Sequence, residues 1–201
     1  MEYKSKNQGN YYDKYNTNNP IAKAMVNRFF KSLEGCLADI SFENVLEAGC
    51  GEGEIISFVN KKYPEVNHFE GFDIGDLVIE EARLRRPDIR FSSKSIYKTE
   101  YSNDAFELTI CCEVLEHLND PIAALEELIR ITSKYVILSV PNEPIWRILN
   151  LCRGKYIKNL GNTPGHINHY SKTKFLKLIK NYGQIMKIES PFPWTMVLIK
   201  K

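Results

Sequence analysis

A short apolar run over residues 44–48 ends in glycines at every second position, Gly49, Gly51 and Gly53, and a helix-like segment over 55–61 follows at once. No other stretch restricts the fold as tightly. Glycine lets a backbone turn sharply and approach a ligand that a Cβ would push away. A helix start offers unpaired N–H groups and a partial positive charge. The run therefore predicts strand, tight turn and helix N-terminus, arranged to hold a small ligand with an anionic group.

Spacing narrows the ligand. The dinucleotide fingerprint Gly-x-Gly-x-x-Gly needs its third glycine at position 54, which is Glu54. The pattern present is Glu47-x-Gly49-x-Gly51-x-Gly53. With that opening acid it resembles motif I of the class I S-adenosylmethionine (SAM)-dependent methyltransferases, and the Glu113, Glu116 and His117 segment further on is similar to one in the ubiquinone-pathway O-methyltransferases. The resemblance is good over 44–140 and topological elsewhere. It implies SAM as cofactor and S-adenosylhomocysteine as product. It places Glu47, Ala48, Gly49, Gly51 and Gly53 around the methionine part, and Cys112 at its far end.

Hydrophobic periodicity sets the frame. Asn19-Pro20 predicts a helix start, with Ile21, Ala24, Met25, Phe29, Leu33 and Leu37 on one face. Strands are expected at 45–46, 68–72, 89–91, 106–112, 135–140, 184–188 and 195–199. Helices are expected at 53–63, 76–86, 121–131 and 171–181. This alternation predicts an α/β fold, a Rossmann-like three-layer sandwich with a seven-stranded, mostly parallel sheet. The link between the last two strands is too short for a parallel crossover, so one antiparallel strand is expected near the C-terminus. The methyltransferase resemblance implies the same. The chain reads as one domain: lid and helix over 1–40, cofactor core over 41–140, substrate cover over 141–170, and a helix with two strands over 171–201.

Asp73 ends the second strand, where an acid accepts both ribose hydroxyls of a nucleoside. It equally reads as a cap for the helix after Gly75. Ile74 adjoins it. After the third strand come Ser95 and Ile96, which the resemblance sets against the adenine. Ser95 stands where such enzymes often carry Asp, and Glu107 and Thr109 depart from their usual Phe-Asp-Leu-Val.

Cys112-Glu113-Val114-Leu115-Glu116-His117-Leu118 opens at the end of the fourth strand. It resembles a segment of many small-molecule methyltransferases that lines the substrate mouth. His117 is the candidate general base, or else a histidine that only shapes its loop. His166 and His169 lie before another helix and are expected on the same side. Glu113, Glu116, His117 and a later histidine also match, in order, a metal-binding set of enzymes that methylate the terminal ribose of small RNAs. No metal is assigned on that ground.

Residues 145–158 contain Arg147, Arg153, Lys155 and Lys158 and no acid, with apolar residues at 145, 148, 149 and 152. The segment reads as a core-covering helix with a solvated basic edge, or as an interfacial lid in peripheral contact with anionic lipid heads. Tyr11, Tyr12 and Tyr15 sit in a polar N-terminal stretch that reads as a loose tail or a lid over the cofactor. A net charge of +2 supplies no footprint for nucleic acid. Five cysteines without metal spacing, and no secretion-type leader, predict a reducing cytoplasm. The sequence therefore reads as a SAM-dependent methyltransferase acting on an oxygen or nitrogen of a small or lipid-like metabolite. Metal-assisted ribose or catechol-type O-methylation and non-catalytic SAM binding are the alternatives.

Overall fold

The computed structural model describes residues 19–201. The tyrosines at 11, 12 and 15, and the lid reading placed on them, lie outside the described residues. The elements run α1 (Pro20–Leu37), β1 (Asn44–Ala48), α2 (Glu54–Lys62), β2 (His68–Asp73), α3 (Asp76–Arg85), β3 (Arg90–Ser93), β4 (Phe106–Cys112), α4 (Pro121–Ile131), β5 (Thr132–Pro141), α5 (Ile145–Cys152), α6 (Lys172–Ile179), β6 (Gln184–Glu189) and β7 (Trp194–Lys200). Single 3-10 turns occupy Leu115–His117 and Ile157–Asn159.

Seven strands form one sheet in the order β3-β2-β1-β4-β5-β7-β6. β1 pairs in parallel with β2 and β4, β2 with β3, and β4 with β5. β7 runs antiparallel to both β5 and β6, as the short 190–193 link requires. The fold matches the expected α/β sandwich with one reversed strand.

Side chains alternate between the two faces of a strand. Val45, Leu108, Ile110, Met196 and Leu198 join Phe29, Leu33, Ile56 and Ile79 in one buried cluster, under α1, α2 and α3. Leu46, Cys111, Val136, Val197 and Ile199 join Leu125, Leu128, Phe175 and Ile179 in another, under α4 and α6. Most strands are thus covered on both sides, which explains their near-continuous apolar runs. β6 lies at an edge and alternates exposed and half-buried residues.

Caps fix where the helices begin. Asn19 Oδ1 accepts from the Ile21 and Ala22 N–H groups, Asp120 Oδ1 from Ala123 at 3.0 Å, and Ser171 Oγ from Lys174 at 3.3 Å. α1 corrects one expectation. Only its second half is buried, and Ile21 is 71% exposed. In its first turns Met25 packs against the core only in part.

Parallel register brings Ala48, Asp73, Cys112 and Pro141 to one edge of the sheet. Because β7 is reversed, its first residue reaches the same edge: Trp194 pairs with Pro141. Ligands in such sheets bind outside the carboxyl ends of the strands. That edge locates the site.

Candidate active site

The glycine turn is tied to β2 by its own backbone. Gly49 and Cys50 both donate to the Phe72 carbonyl, at 2.8 and 2.9 Å. Gly49, Gly51 and Gly53 have φ of 72°, 53° and 77°, values that side-chain-bearing residues seldom adopt. A Cβ at Gly49 would meet Val114 Cγ2 at 2.4 Å, and one at Gly53 would meet the Phe91 ring at 2.7 Å. Here the glycines permit the chain to approach itself, as well as any ligand.

Glu47 lies buried beneath this turn, and its Oε2 accepts the Ile56 N–H at 2.9 Å. The acid caps the third residue of α2 and holds the helix start against β1. Gly53 is the N-cap of α2, not its first helical residue.

Asp73 closes the turn from the other side. Its Oδ2 accepts the Gly51 N–H at 3.0 Å and its Oδ1 the Gly75 N–H at 3.1 Å. Burial raises its pKa above the usual carboxylate range, and the backbone N–H groups of Gly75, Gly51 and Ile74 oppose that rise. So Asp73 does shape the entry to α3, and each oxygen keeps a further lone pair for a donor. Ile74 projects into solvent beside it. Ile96 is buried in the cluster under α4 and α6. Ser95 Oγ accepts the Tyr97 N–H at 3.3 Å, which stabilises the loop itself. Cys112 is buried, and burial pushes its thiol pKa well up. It is an inert wall residue.

Two distant segments meet over the end of β4. The Glu116 carbonyl accepts from both Ile167 and Asn168 N–H, at 2.9 and 3.0 Å. Asn168 Nδ2 donates to the carbonyls of Leu115 and Leu118. This latch brings His166 to His117, with ring centroids 4.8 Å apart and nearly perpendicular. His117 Nδ1 lies 3.0 Å from the Gly165 carbonyl oxygen. A carbonyl can only accept, so Nδ1 carries the proton, and in the neutral ring Nε2 is the lone-pair nitrogen. His117 is exposed, whereas Glu116 and His166 are buried.

His169 does not join this group. Its Nδ1 is 3.9 Å from Glu143 Oε1. Glu113 also leaves the expected metal-binding set: its carboxylate takes hydrogen bonds from Ser139 Oγ at 3.2 Å and from Trp194 Nε1. Its φ of 62° turns it away from the helical path. The donor atoms of Glu116, His117 and His166, in contrast, all lie within 4.8 Å of one another.

Trp146, expected beside His117, is joined by Trp194, which escaped the sequence reading. Trp146 stacks on His166 at 6.2 Å and packs on Trp194 at 5.8 Å, and Trp194 meets Phe29 edge-on at 5.5 Å. An aromatic wall thus runs from α1 to the two histidines. Trp194 could have been anticipated, since a reversed final strand must begin at the ligand edge.

This strand order, with a glycine turn latched to an acid at the end of β2, defines a class I methyltransferase fold. The chain belongs to the methyltransferase-domain family, SAM-dependent enzymes of that class, which it matches over residues 18–184. It is 32% identical over 101 residues to an uncharacterized methyltransferase of Schizosaccharomyces pombe, covering 45% of this chain and 36% of that one. It is 27% identical over 145 residues to a ubiquinone biosynthesis O-methyltransferase of Paracidovorax citrulli, covering 68% and 59%. The chain thus spans less than two thirds of either relative. The magnesium protoporphyrin IX methyltransferase of Synechocystis, solved with bound S-adenosylhomocysteine, superposes with a TM-score of 0.66 at 16% identity, over 92% of this chain and 89% of that one.

Proposed function

We propose that this chain, as one methyltransferase domain, transfers the SAM methyl group to an oxygen or nitrogen of a small or lipid-like metabolite. The observation that carries the reading is the His117–Gly165 contact. It fixes a tautomer whose Nε2 can take a proton, at the mouth of the edge formed by Gly49, Gly51, Gly53 and Asp73.

SAM supplies a methyl group on a sulfonium, which is already a good leaving group. The chain's residues then have to hold and orient. Gly49, Gly51 and Gly53 accommodate the methionine part, Asp73 accepts the ribose hydroxyls, and Ile74, Ser95 and Ile96 bound the adenine. The aromatic wall of Trp146 and Trp194 excludes water. Aligning a nucleophile with the bond to be broken supplies roughly 7–11 kcal/mol. His117 Nε2 removes the acceptor's proton as the new bond forms. The similarity to a ubiquinone biosynthesis O-methyltransferase supports oxygen as the methylated atom. The five cysteines are free thiols, four of them buried, which supports a reducing cytoplasm as the compartment. The test is transfer of labelled methyl from SAM into a lipid and metabolite extract. Binding of S-adenosylhomocysteine without any labelled product would leave a SAM-binding protein and defeat the catalytic reading.

One observation favours a second reading. A carboxylate and two imidazoles within 4.8 Å suit a divalent cation, and Glu116, His117 and His166 would hold it. A cation there would draw acceptor oxygens together and lower a hydroxyl pKa. Calorimetric titration with Mn²⁺ and assays with a chelator separate the two readings.

A further inference from the structure

The helix read as a core cover with a basic edge, or as an interfacial lid, covers the core only in part. The buried residue of α5 is Asn150. Its Nδ2 donates to the Gly161 carbonyl at 2.9 Å and to Thr163 Oγ1 at 3.1 Å, and Arg153 donates to its Oδ1. With Asn150 pinned inward, part of the apolar side faces water, while Ile145, Trp146 and Leu149 stay half-buried. Ile148 is 53% exposed and Leu151 39%, and the following 3-10 turn adds Ile157 at 62% and Leu160 at 69%. The two pieces lie together. Arg147 Nε donates to the Leu160 carbonyl at 3.0 Å, and a Cβ at Gly161 would stand 3.0 Å from Leu151 Cγ. Clustered apolar exposure of this kind marks an interaction site.

Charge identifies the occupant. Residues 145–188 hold nine lysines and arginines and no aspartate or glutamate. The rest of the chain holds 18 basic and 25 acidic residues. Of the nine, Arg147, Arg153, Lys155 and Lys158 lie on α5 and the turn that follows, with no acid between them, whereas Lys187 is tied to Gly35 and Asp39. A second copy would bring like charge against like charge. An anionic bilayer offers the complement to both features, acyl chains for the isoleucines and leucines and headgroups for Arg147, Arg153, Lys155 and Lys158. An eight-residue helix is about 12 Å long, too short to span the ~30 Å hydrocarbon core. Among the described residues no helix is long and apolar enough to cross a membrane.

We propose that α5 and the turn over 157–160 form a peripheral docking surface for anionic phospholipid, lying flat in the headgroup region. The surface adjoins the site, since Trp146 of α5 stacks on His166.

Co-sedimentation of the full chain with vesicles tests this without any activity measurement, so it stands or falls apart from methyl transfer. Phosphatidylcholine mixed with phosphatidylglycerol should retain the protein at low salt, and phosphatidylcholine alone should retain little. Lys155→Glu with Lys158→Glu should weaken binding roughly twentyfold or more. Ile157→Ser with Leu160→Ser should weaken it at unchanged Tm, because both side chains are exposed. Equal retention on both vesicles, retention on neither, or wild-type binding by both double variants would overturn the proposal. So would a concentration-dependent dimer abolished by the Ile157/Leu160 variant, which would make a second copy the occupant.

Discussion

Asp73 Oδ2 accepts the Gly51 N–H at 3.0 Å. The acid of β2 and the turn after β1 therefore form one unit, and a ligand held by either is sensed by both. Burial raises the Asp73 pKa while three backbone N–H groups hold it down. The carboxylate is set for donors from the chain and has capacity left for donors from a nucleoside.

Asp73→Ala should weaken S-adenosylhomocysteine binding by about ten- to a hundredfold, the worth of hydrogen bonds to a charged group. Isothermal titration measures it. A change below threefold would remove Asp73 from the ribose site.

Gly49→Ala should destabilise the fold by about 2–4 kcal/mol, from left-handed strain and from overpacking against Val114. The added Cβ would stand 2.4 Å from Val114 Cγ2. A double-mutant cycle with Val114→Ala in urea should reveal a coupling of about 1 kcal/mol or more, because the smaller side chain removes the clash and leaves the φ strain. Strict additivity would contradict the contact.

His117→Gln should lower kcat by about 10²–10⁴-fold while the affinity for S-adenosylhomocysteine stays at the wild-type level. The acid limb of the wild-type pH–kcat profile should vanish in the variant. If the profile keeps its shape, the base lies elsewhere.

Glu127 provides a stability test on α4, where it anchors Thr99 after the Ser95–Lys98 turn. Hydrogen bonding to Arg130, then to Thr99, lowers its pKa from 4.5 to about 2. Its folded pKa lies below its unfolded one, so the stabilisation is full above about pH 4.5 and is lost as pH falls toward about 2. Glu127→Gln should be less stable than wild type at neutral pH, and the gap should close across that acid window. Guanidinium melts at neutral and acid pH check it.

The sheet was legible in the sequence because its signals are local. Apolar runs, Pro121 after Asp120 and Ser171 before α6 state where elements begin, and the 190–193 link is too short to allow a parallel pair. Glu47 was legible for the same reason, since its partner Ile56 is close in the chain, and the turn at Gly49 and Gly53 is likewise local, although the approach of Val114 and Phe91 to those glycines is not. The remainder depends on contacts across the fold. Nothing near Asn150 announces that its amide will find Gly161 and Thr163, so sequence left α5 open between a core cover and an interfacial lid, and only half of its apolar stripe proved exposed. Glu113 matched a metal-binding set by its order in the chain alone, and that order is silent on Ser139 and Trp194, which hydrogen-bond its carboxylate. His169 and His166 are indistinguishable by spacing, and only the Glu143 carboxylate separates them.

The latch between Glu116 and the 167–168 backbone joins main chain to main chain. Its strength is therefore indifferent to which side chain stands at 116, 117 or 167. Exchange at those positions leaves the main-chain bonds in place, and two side chains add to the joint: Asn168, through the Leu115 and Leu118 carbonyls, and His117, through the Gly165 carbonyl. A scaffold fastened in this way can be re-specified for a new methyl acceptor, in a laboratory or in a lineage, by replacing the residues at its mouth and leaving its hinge-like seam alone.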